Sequence, residues 1–157
     1  MVSQLQDYEY SYVTAAPANA HGFLLQPLLA MLPKLKKGQT LRVLDLGCGN
    51  GSLSNQVAQK GYQVTGVEES PSGVAIAQKH FSDCQFYEGS IYSPPEEILN
   101  NDFDVVISAE VIEHLFYPKE LPRLAKRCLK PGGRLILTTP YNGYLKNVAL
   151  SVLGAMD

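Results

Sequence analysis

The stretch "EVIEHL", residues 110–115, carries the densest chemistry in the chain. Glu110, Glu113 and His114 stand at i, i+3 and i+4, so a helix beginning here would put two carboxylates and an imidazole on one face. An imidazole titrates near neutrality and suits a general base. The same three groups could also gather a divalent cation. The spacing fits a structural role as well, with Glu113 capping a turn and His114 packing against a sheet.

A second stretch, "VLDLGCGNGS" at 43–52, places Gly47, Gly49 and Gly51 at alternate positions straight after an apolar run. Glycine after a strand permits a tight turn and lets a ligand touch the backbone. The helix that follows would point its N–H groups at an anion. Ser52 stands where a dinucleotide fingerprint needs its third glycine, and no Gly-Lys-Ser/Thr follows as in a phosphate loop. A plain tight turn needs fewer glycines than this. Downstream, "VTGVEES" brings Glu68 to the tip of the next apolar run. A carboxylate there can accept hydrogen bonds from both hydroxyls of a ribose. Glu69 is the alternative, but Glu68 directly follows the apolar residues. The pair of motifs therefore asks for a ribose at Glu68 and a small amino-acid-like group at the glycines.

These residues need a frame, and the hydrophobic pattern supplies one. Apolar runs at 41–46, 63–67, 84–87, 103–108 and 134–139 predict five short strands. Between them, 52–60 reads as a helix. Ser70 and Pro71 cap and open another, with Val74, Ala77 and Phe81 on one face. Leu121, Leu124, Ala125, Cys128 and Leu129 form a third stripe, which "KPGG" at 130–133 ends. Pro122 is tolerated there in the first turn. Strands alternating with helices predict an α/β, doubly wound parallel sheet covered on both faces. Ahead of it, Phe23, Leu24, Leu28 and Leu32 share a helical face within 19–32, with Pro27 kinking or interrupting it. That segment is either a packing helix or a lid bringing Tyr8, Tyr10, Tyr12 or His21 to the ligand.

A chain of 157 residues with 45% hydrophobic residues fits one domain, 1–157, with a real core. We divide it into an N-terminal helical lid or edge segment at 1–40, the core at 41–140 and a terminal helix at 141–157. A net charge of −2 gives no basic field for nucleic acid. No apolar run reaches the roughly 18 residues that cross a bilayer. Residues 1–10 carry acid and no Lys or Arg, unlike a signal peptide. Cys48, Cys84 and Cys128 are odd in number and lack CxxC spacing, which suits a reducing cytoplasm better than disulfides or zinc.

Four motifs in order, "VLDLGCGNG", "VTGVEES", "FDVVISAEVIEHL" and "LKPGGRLILTTP", resemble the class I S-adenosylmethionine-dependent methyltransferases. Within that class the chain is most similar to small-molecule enzymes such as the ubiquinone-biosynthesis O-methyltransferases. The resemblance covers about 41–140. It implies S-adenosylmethionine as cofactor, with Gly47, Cys48, Gly49 and Gly51 at its methionine end and Asp45 supporting the loop and the amino group. It implies Glu68 on the ribose hydroxyls, with Glu69, Ser90 and Ile91 flanking the adenine. Ser90 stands where the family often has an acid, and a hydroxyl bonds the exocyclic amine less strongly. Glu110 would reach the sulfonium region or the substrate. Methyl transfer to a phenol or catechol then assigns His114, with Glu113, to proton removal. A divalent cation at Glu110, Glu113 and His114 is the lesser alternative. Tyr141 and Asn142, after the last strand, would line the pocket of a small-molecule acceptor. Pro140-Tyr141 resembles the motif of nucleic-acid amine methyltransferases only superficially, because that motif belongs after the fourth strand.

The resemblance implies seven strands ordered 3-2-1-4-5-7-6, yet only 140–157 remain after the fifth. Leu145, Val148, Ala149 and Val152 give that remainder a helical pattern. The expectation is a C-terminally truncated enzyme with sheet order 3-2-1-4-5, the last two strands absent, and a free strand edge covered by that helix or by another chain, which leaves the edge open to self-association. Two other functions fit the same motifs: an S-adenosylmethionine-binding protein or partner subunit without activity, and an NAD-dependent oxidoreductase.

Overall fold

The computed structural model describes residues 10–16, 21–100 and 102–140. The expected terminal helix, Tyr141, Asn142 and Tyr8 lie outside these residues. Helix α1 (His21–Met31) leads into strand β1 (Arg42–Leu46), helix α2 (Ser52–Ala58), strand β2 (Gln63–Glu68), helix α3 (Pro71–His80) and strand β3 (Gln85–Glu88). Strand β4 (Phe103–Ala109), helix α4 (Glu120–Cys128) and strand β5 (Leu129–Thr138) follow. Among the described residues the five strands form one sheet in the order β3-β2-β1-β4-β5, every pair parallel. That is the order the resemblance implies for the first five strands. Parallel neighbours need a crossover between them, and the alternating helices provide it.

Period-two alternation sends the strand side chains to two cores. Val43, Val105, Ile107 and Ile136 face Leu28 and Leu32 of the α1 region and Leu53 and Val57 of α2. Leu44, Leu46 and Val106 face Ile98 and the α4 residues Leu124, Ala125 and Cys128. Helix α1 continues through Pro27 rather than stopping there, and its Leu28 is fully buried, so α1 packs on the sheet. Ser70 caps α3 by accepting from the Gly73 N–H, with Pro71 in the first turn, as its sequence requires. Phe81 falls just past the end of that helix.

Strand β5 departs from expectation. It begins at Leu129, directly after α4, and takes in the "KPGG" that was expected to separate helix from strand. Phe103 pairs with Leu129 but Val105 pairs with Arg134, so the extra residues bulge out of the ladder. The Lys130 ammonium donates to the Asp104 carboxylate at 2.9 and 3.0 Å across this bulge and holds the two strands together there.

Candidate active site

Strand β1 is central, with β2 on one side and β4 on the other, so the chain reverses direction of winding at its C-terminal tip. A crevice opens at such a point, and the residues beyond the strand ends face it. The tips of β1, β2 and β4 carry most of the residues singled out above.

The glycine loop is tied to β2 from its start. The Gly47 and Cys48 N–H groups donate to the Val67 carbonyl at 2.8 and 3.0 Å. Gly47, Gly49 and Gly51 have φ of 78°, 57° and 78°, a region that strains other residues. What comes close to each is a side chain of the protein itself. A Cβ on Gly47 would strike Val111, from the turn after β4. One on Gly49 would stand 2.8 Å from the Tyr12 hydroxyl. One on Gly51 would lie 2.7 Å from the Ala77 Cβ and 2.8 Å from Phe86. Gly51 thus lets the start of α2 pack on α3 and β3. Cys48 is buried in the same packing, with its sulfur 2.7 Å from where a Cβ on Gly66 would stand. Burial pushes its thiol well above the ordinary range, so it is a packing group rather than a reactive one.

Glu68 is the hinge of the site. One carboxylate oxygen accepts the Gly49 N–H at 2.8 Å and the other accepts the Ser70 N–H at 2.9 Å. Each oxygen keeps a further lone pair for a ligand hydroxyl. Glu69 is exposed, which favours Glu68 of the two. Asp45 lies beneath the loop and is 1% exposed. One of its oxygens accepts from Ser54 Oγ at 2.6 Å. The other is the one buried side-chain nitrogen or oxygen among the described residues without a hydrogen-bond partner.

The "EVIEHL" stretch forms a 3-10 turn (Ile112–His114), not the α-helix that would gather its three groups. Glu110 has φ 57°, costly for a residue with a side chain. Thr138 at the tip of β5 holds it there: its carbonyl accepts the Glu110 N–H at 3.1 Å and its hydroxyl donates to the Glu110 carboxylate at 2.9 Å. Glu113 accepts from Thr139 Oγ1 at 3.3 Å. His114 is exposed, and its Nε2 lies 4.0 Å from Glu113 Oε1, beyond hydrogen-bond reach. With Glu110 turned to Thr138, the metal reading finds no support: among the described residues no three His, Cys, Asp or Glu side chains gather to hold a metal ion.

Ser90 and Ile91 follow β3, beside the tip of β2, since the Gly89 N–H donates to the Glu68 carbonyl at 3.0 Å. The Ser90 hydroxyl oxygen accepts from the Tyr92 and Ser93 N–H groups at 3.2 and 3.1 Å. Both lone pairs are taken, so Ser90 is left a donor and not the acceptor that an exocyclic amine needs.

A family model described as a methyltransferase domain matches residues 37–152. The chain belongs to this methyltransferase-domain family. A ubiquinone biosynthesis O-methyltransferase of Caulobacter sp. (strain K31) is 36% identical over 140 residues, which cover 85% of this chain and 55% of that protein. The chain therefore spans about half the length of the curated relatives it matches. Phosphoethanolamine N-methyltransferase 2 of Haemonchus contortus, solved in complex with S-adenosyl-L-methionine, superimposes with a TM-score of 0.63 at 25% identity, over 82% of this chain and 32% of that one. A TehB-like SAM-dependent methyltransferase of Corynebacterium glutamicum shares the fold, with a TM-score of 0.64 at 22% identity over 83% of this chain and 69% of that one.

The Haemonchus contortus neighbour is solved with S-adenosyl-L-methionine, and two groups of this site fit that ligand's chemistry. The partnerless Asp45 oxygen suits a cationic amino group. The outer lone pairs of Glu68 suit the two ribose hydroxyls. Burial, with the nearby Glu68 charge adding to it, pushes the Asp45 carboxyl up to about 7 against the pull of the Ser54 hydrogen bond. Between roughly pH 4 and pH 7 the folded methyltransferase domain then holds a proton that the unfolded chain has released. Asp45 therefore contributes stability below pH 4 that is lost as pH rises to 7. We expect thermal unfolding of the cofactor-free protein to show this decline between about pH 4 and pH 7 and to level off above it, and Asp45→Asn to flatten it. Parallel curves for the two proteins would remove Asp45 as its source.

Sequence reasoning missed three contributors here. Asn50, 8% exposed, donates from its side-chain amide to the Thr14 and Ala16 carbonyls, both at 2.8 Å. Ser72 accepts the Tyr12 N–H at 2.9 Å. Gly73 lets the Tyr12 ring approach, since a Cβ there would stand 2.9 Å from it. The one signal for Gly73 was a glycine within the first turn of a helix, where it costs about 1 kcal/mol against alanine.

Proposed function

We propose that the chain is the S-adenosylmethionine-binding part of an enzyme that moves a methyl group to an oxygen of a small molecule. The observation that carries this reading is Glu68, whose carboxylate binds the Gly49 and Ser70 N–H groups and keeps a further lone pair on each oxygen. When bound, the cofactor supplies an electrophilic methyl on a sulfonium. Glu68 holds the ribose, Asp45 the amino end, and Gly47 and Gly49 pass the backbone close beneath. The Ile91 backbone and the Ser90 O–H flank the adenine, with the hydroxyl donating to a ring nitrogen. His114 takes the proton of the acceptor hydroxyl, with Glu113 beside it, and Glu110 faces the reacting groups from the tip of β4. The O-methyltransferase relatives favour an oxygen acceptor, with Tyr141 and Asn142 in its pocket.

The reading extends to setting and partners. Among the described residues no helix is long and apolar enough to cross a membrane. Three free cysteines fit the reducing cytoplasm. Strand β5 is an edge of the described sheet, and its outer backbone groups, unpaired among the described residues, suit association with a second chain.

The test is a thermal shift with S-adenosylmethionine and S-adenosylhomocysteine, followed by turnover on a panel of phenols and catechols. At 100 times its dissociation constant, either ligand should add about 2.7 kcal/mol of stability. His114→Gln should leave that shift intact and depress turnover at least about a hundredfold, the usual contribution of a general base. No shift with either ligand would overturn the cofactor reading. A shift with unaltered turnover in the variant would overturn the role of His114.

A further inference from the structure

Residues 10–16 cross the glycine loop as a strap, and the loop and α3 are built to receive it. The Asn50 amide spends both of its N–H groups on the Thr14 and Ala16 carbonyls. Its oxygen accepts the Ser52 N–H at 3.2 Å, so the whole side chain is satisfied. At the other end, two serines close a ring. Ser70 Oγ donates to the Tyr10 carbonyl. That commits its single hydrogen, so across the 2.8 Å contact with Ser72 it is Ser72 that donates. Ser72 Oγ in turn accepts the Tyr12 N–H. Hydrogen bonds therefore run unbroken from the Tyr12 N–H through Ser72 and Ser70 to the Tyr10 carbonyl, an arrangement in which each bond polarises the next.

Between the two anchors sits Tyr12, half-buried on a seat of two glycines. A Cβ on Gly49 would stand 2.8 Å from its hydroxyl, and one on Gly73 would stand 2.9 Å from its ring. Burial, and then the Glu68 charge, push its phenol above the ordinary range, so the hydroxyl remains a donor. Any ligand spanning Gly49 and Glu68 lies against this ring. Resting on the reading that Glu68 and the loop hold S-adenosylmethionine, we propose that residues 10–16 are a clasp that keeps the cofactor seated, with Asn50 and Ser72 as its positioning residues. The strap lifts for the ligand to pass and reseats over it. Its anchors therefore set how fast the ligand leaves.

Stopped-flow release of S-adenosylhomocysteine tests this. Asn50→Asp keeps the acceptor for Ser52 but turns a carboxylate toward two carbonyls. Ser72→Ala cuts the hydrogen-bonded ring and leaves the Ser70 cap in place. Each should speed release at least about tenfold, the factor that about 1.4 kcal/mol corresponds to. Amide exchange at Tyr12 should slow on addition of the ligand to the wild type and much less in either variant. Wild-type release rates in Ser72→Ala overturn the clasp, whether or not Asn50→Asp changes, because an effect confined to Asn50 is one of the loop alone. Should the wild type bind no S-adenosylhomocysteine, it is the cofactor reading that fails.

Discussion

Replacing Glu68 with alanine should weaken S-adenosylmethionine binding about a hundredfold. Two hydrogen bonds from ribose hydroxyls to a charged carboxylate are lost, each worth roughly 1.5 kcal/mol or more, and about 2.7 kcal/mol corresponds to a factor of 100. The same change unties Gly49 from β2, because its N–H loses the acceptor at 2.8 Å. The Ser70 N–H loses its partner as well, at the start of α3. The unfolding midpoint should therefore fall together with affinity. Glu68→Gln keeps one carbonyl oxygen and should lie between the two in both measurements. Calorimetric titration of the three proteins checks this. An unchanged dissociation constant in Glu68→Ala would place the ribose elsewhere.

The largest effect on stability should come from Gly51→Ala. Its φ of 78° costs a residue with a Cβ about 1–2 kcal/mol. The new methyl would also press on Ala77 and Phe86 at 2.7 and 2.8 Å, and overpacking of this kind costs typically about 1–3 kcal/mol. Ala77 belongs to α3 and Phe86 to β3, so neither is a free end that can swing away. The sum, about 2–5 kcal/mol, is a large share of the roughly 5–15 kcal/mol that holds a domain folded. Gly38 makes the control. Its φ is 76°, yet nothing lies within 4 Å of where its Cβ would stand. Gly38→Ala should show the backbone cost alone. If both variants unfold at the same temperature, the packing at Gly51 does not matter as argued.

The difference between these two glycines marks where sequence stops. Nothing near Gly51 in the chain says that Ala77 and Phe86 will meet it. The alternating glycines were expected to admit a ligand, but Gly51 admits the wall of the protein's own core. Gly49 admits a tyrosine from the strap. A glycine in a loop shows that something comes close, and only the folded chain shows what.

The sequence by itself determined the alternation of strands and helices, the Ser70 cap and the placement of Glu68 at a strand tip, and its resemblance to the class I methyltransferases implied the order of the five-stranded parallel sheet. The features read from the residues themselves are local. Apolar periodicity, caps and glycines act within a few residues. Tertiary structure alone decided the rest. The bulge at the start of β5 depends on Lys130 reaching Asp104 across strands. The left-handed backbone of Glu110 depends on Thr138. The strap depends on Asn50 and Ser72, which lie 36 and 60 positions from the residues they hold, Thr14 and Tyr12. No period or spacing encodes contacts of that range. They exist because a parallel sheet brings all its strand tips to one end, so residues far apart in the chain meet around one crevice.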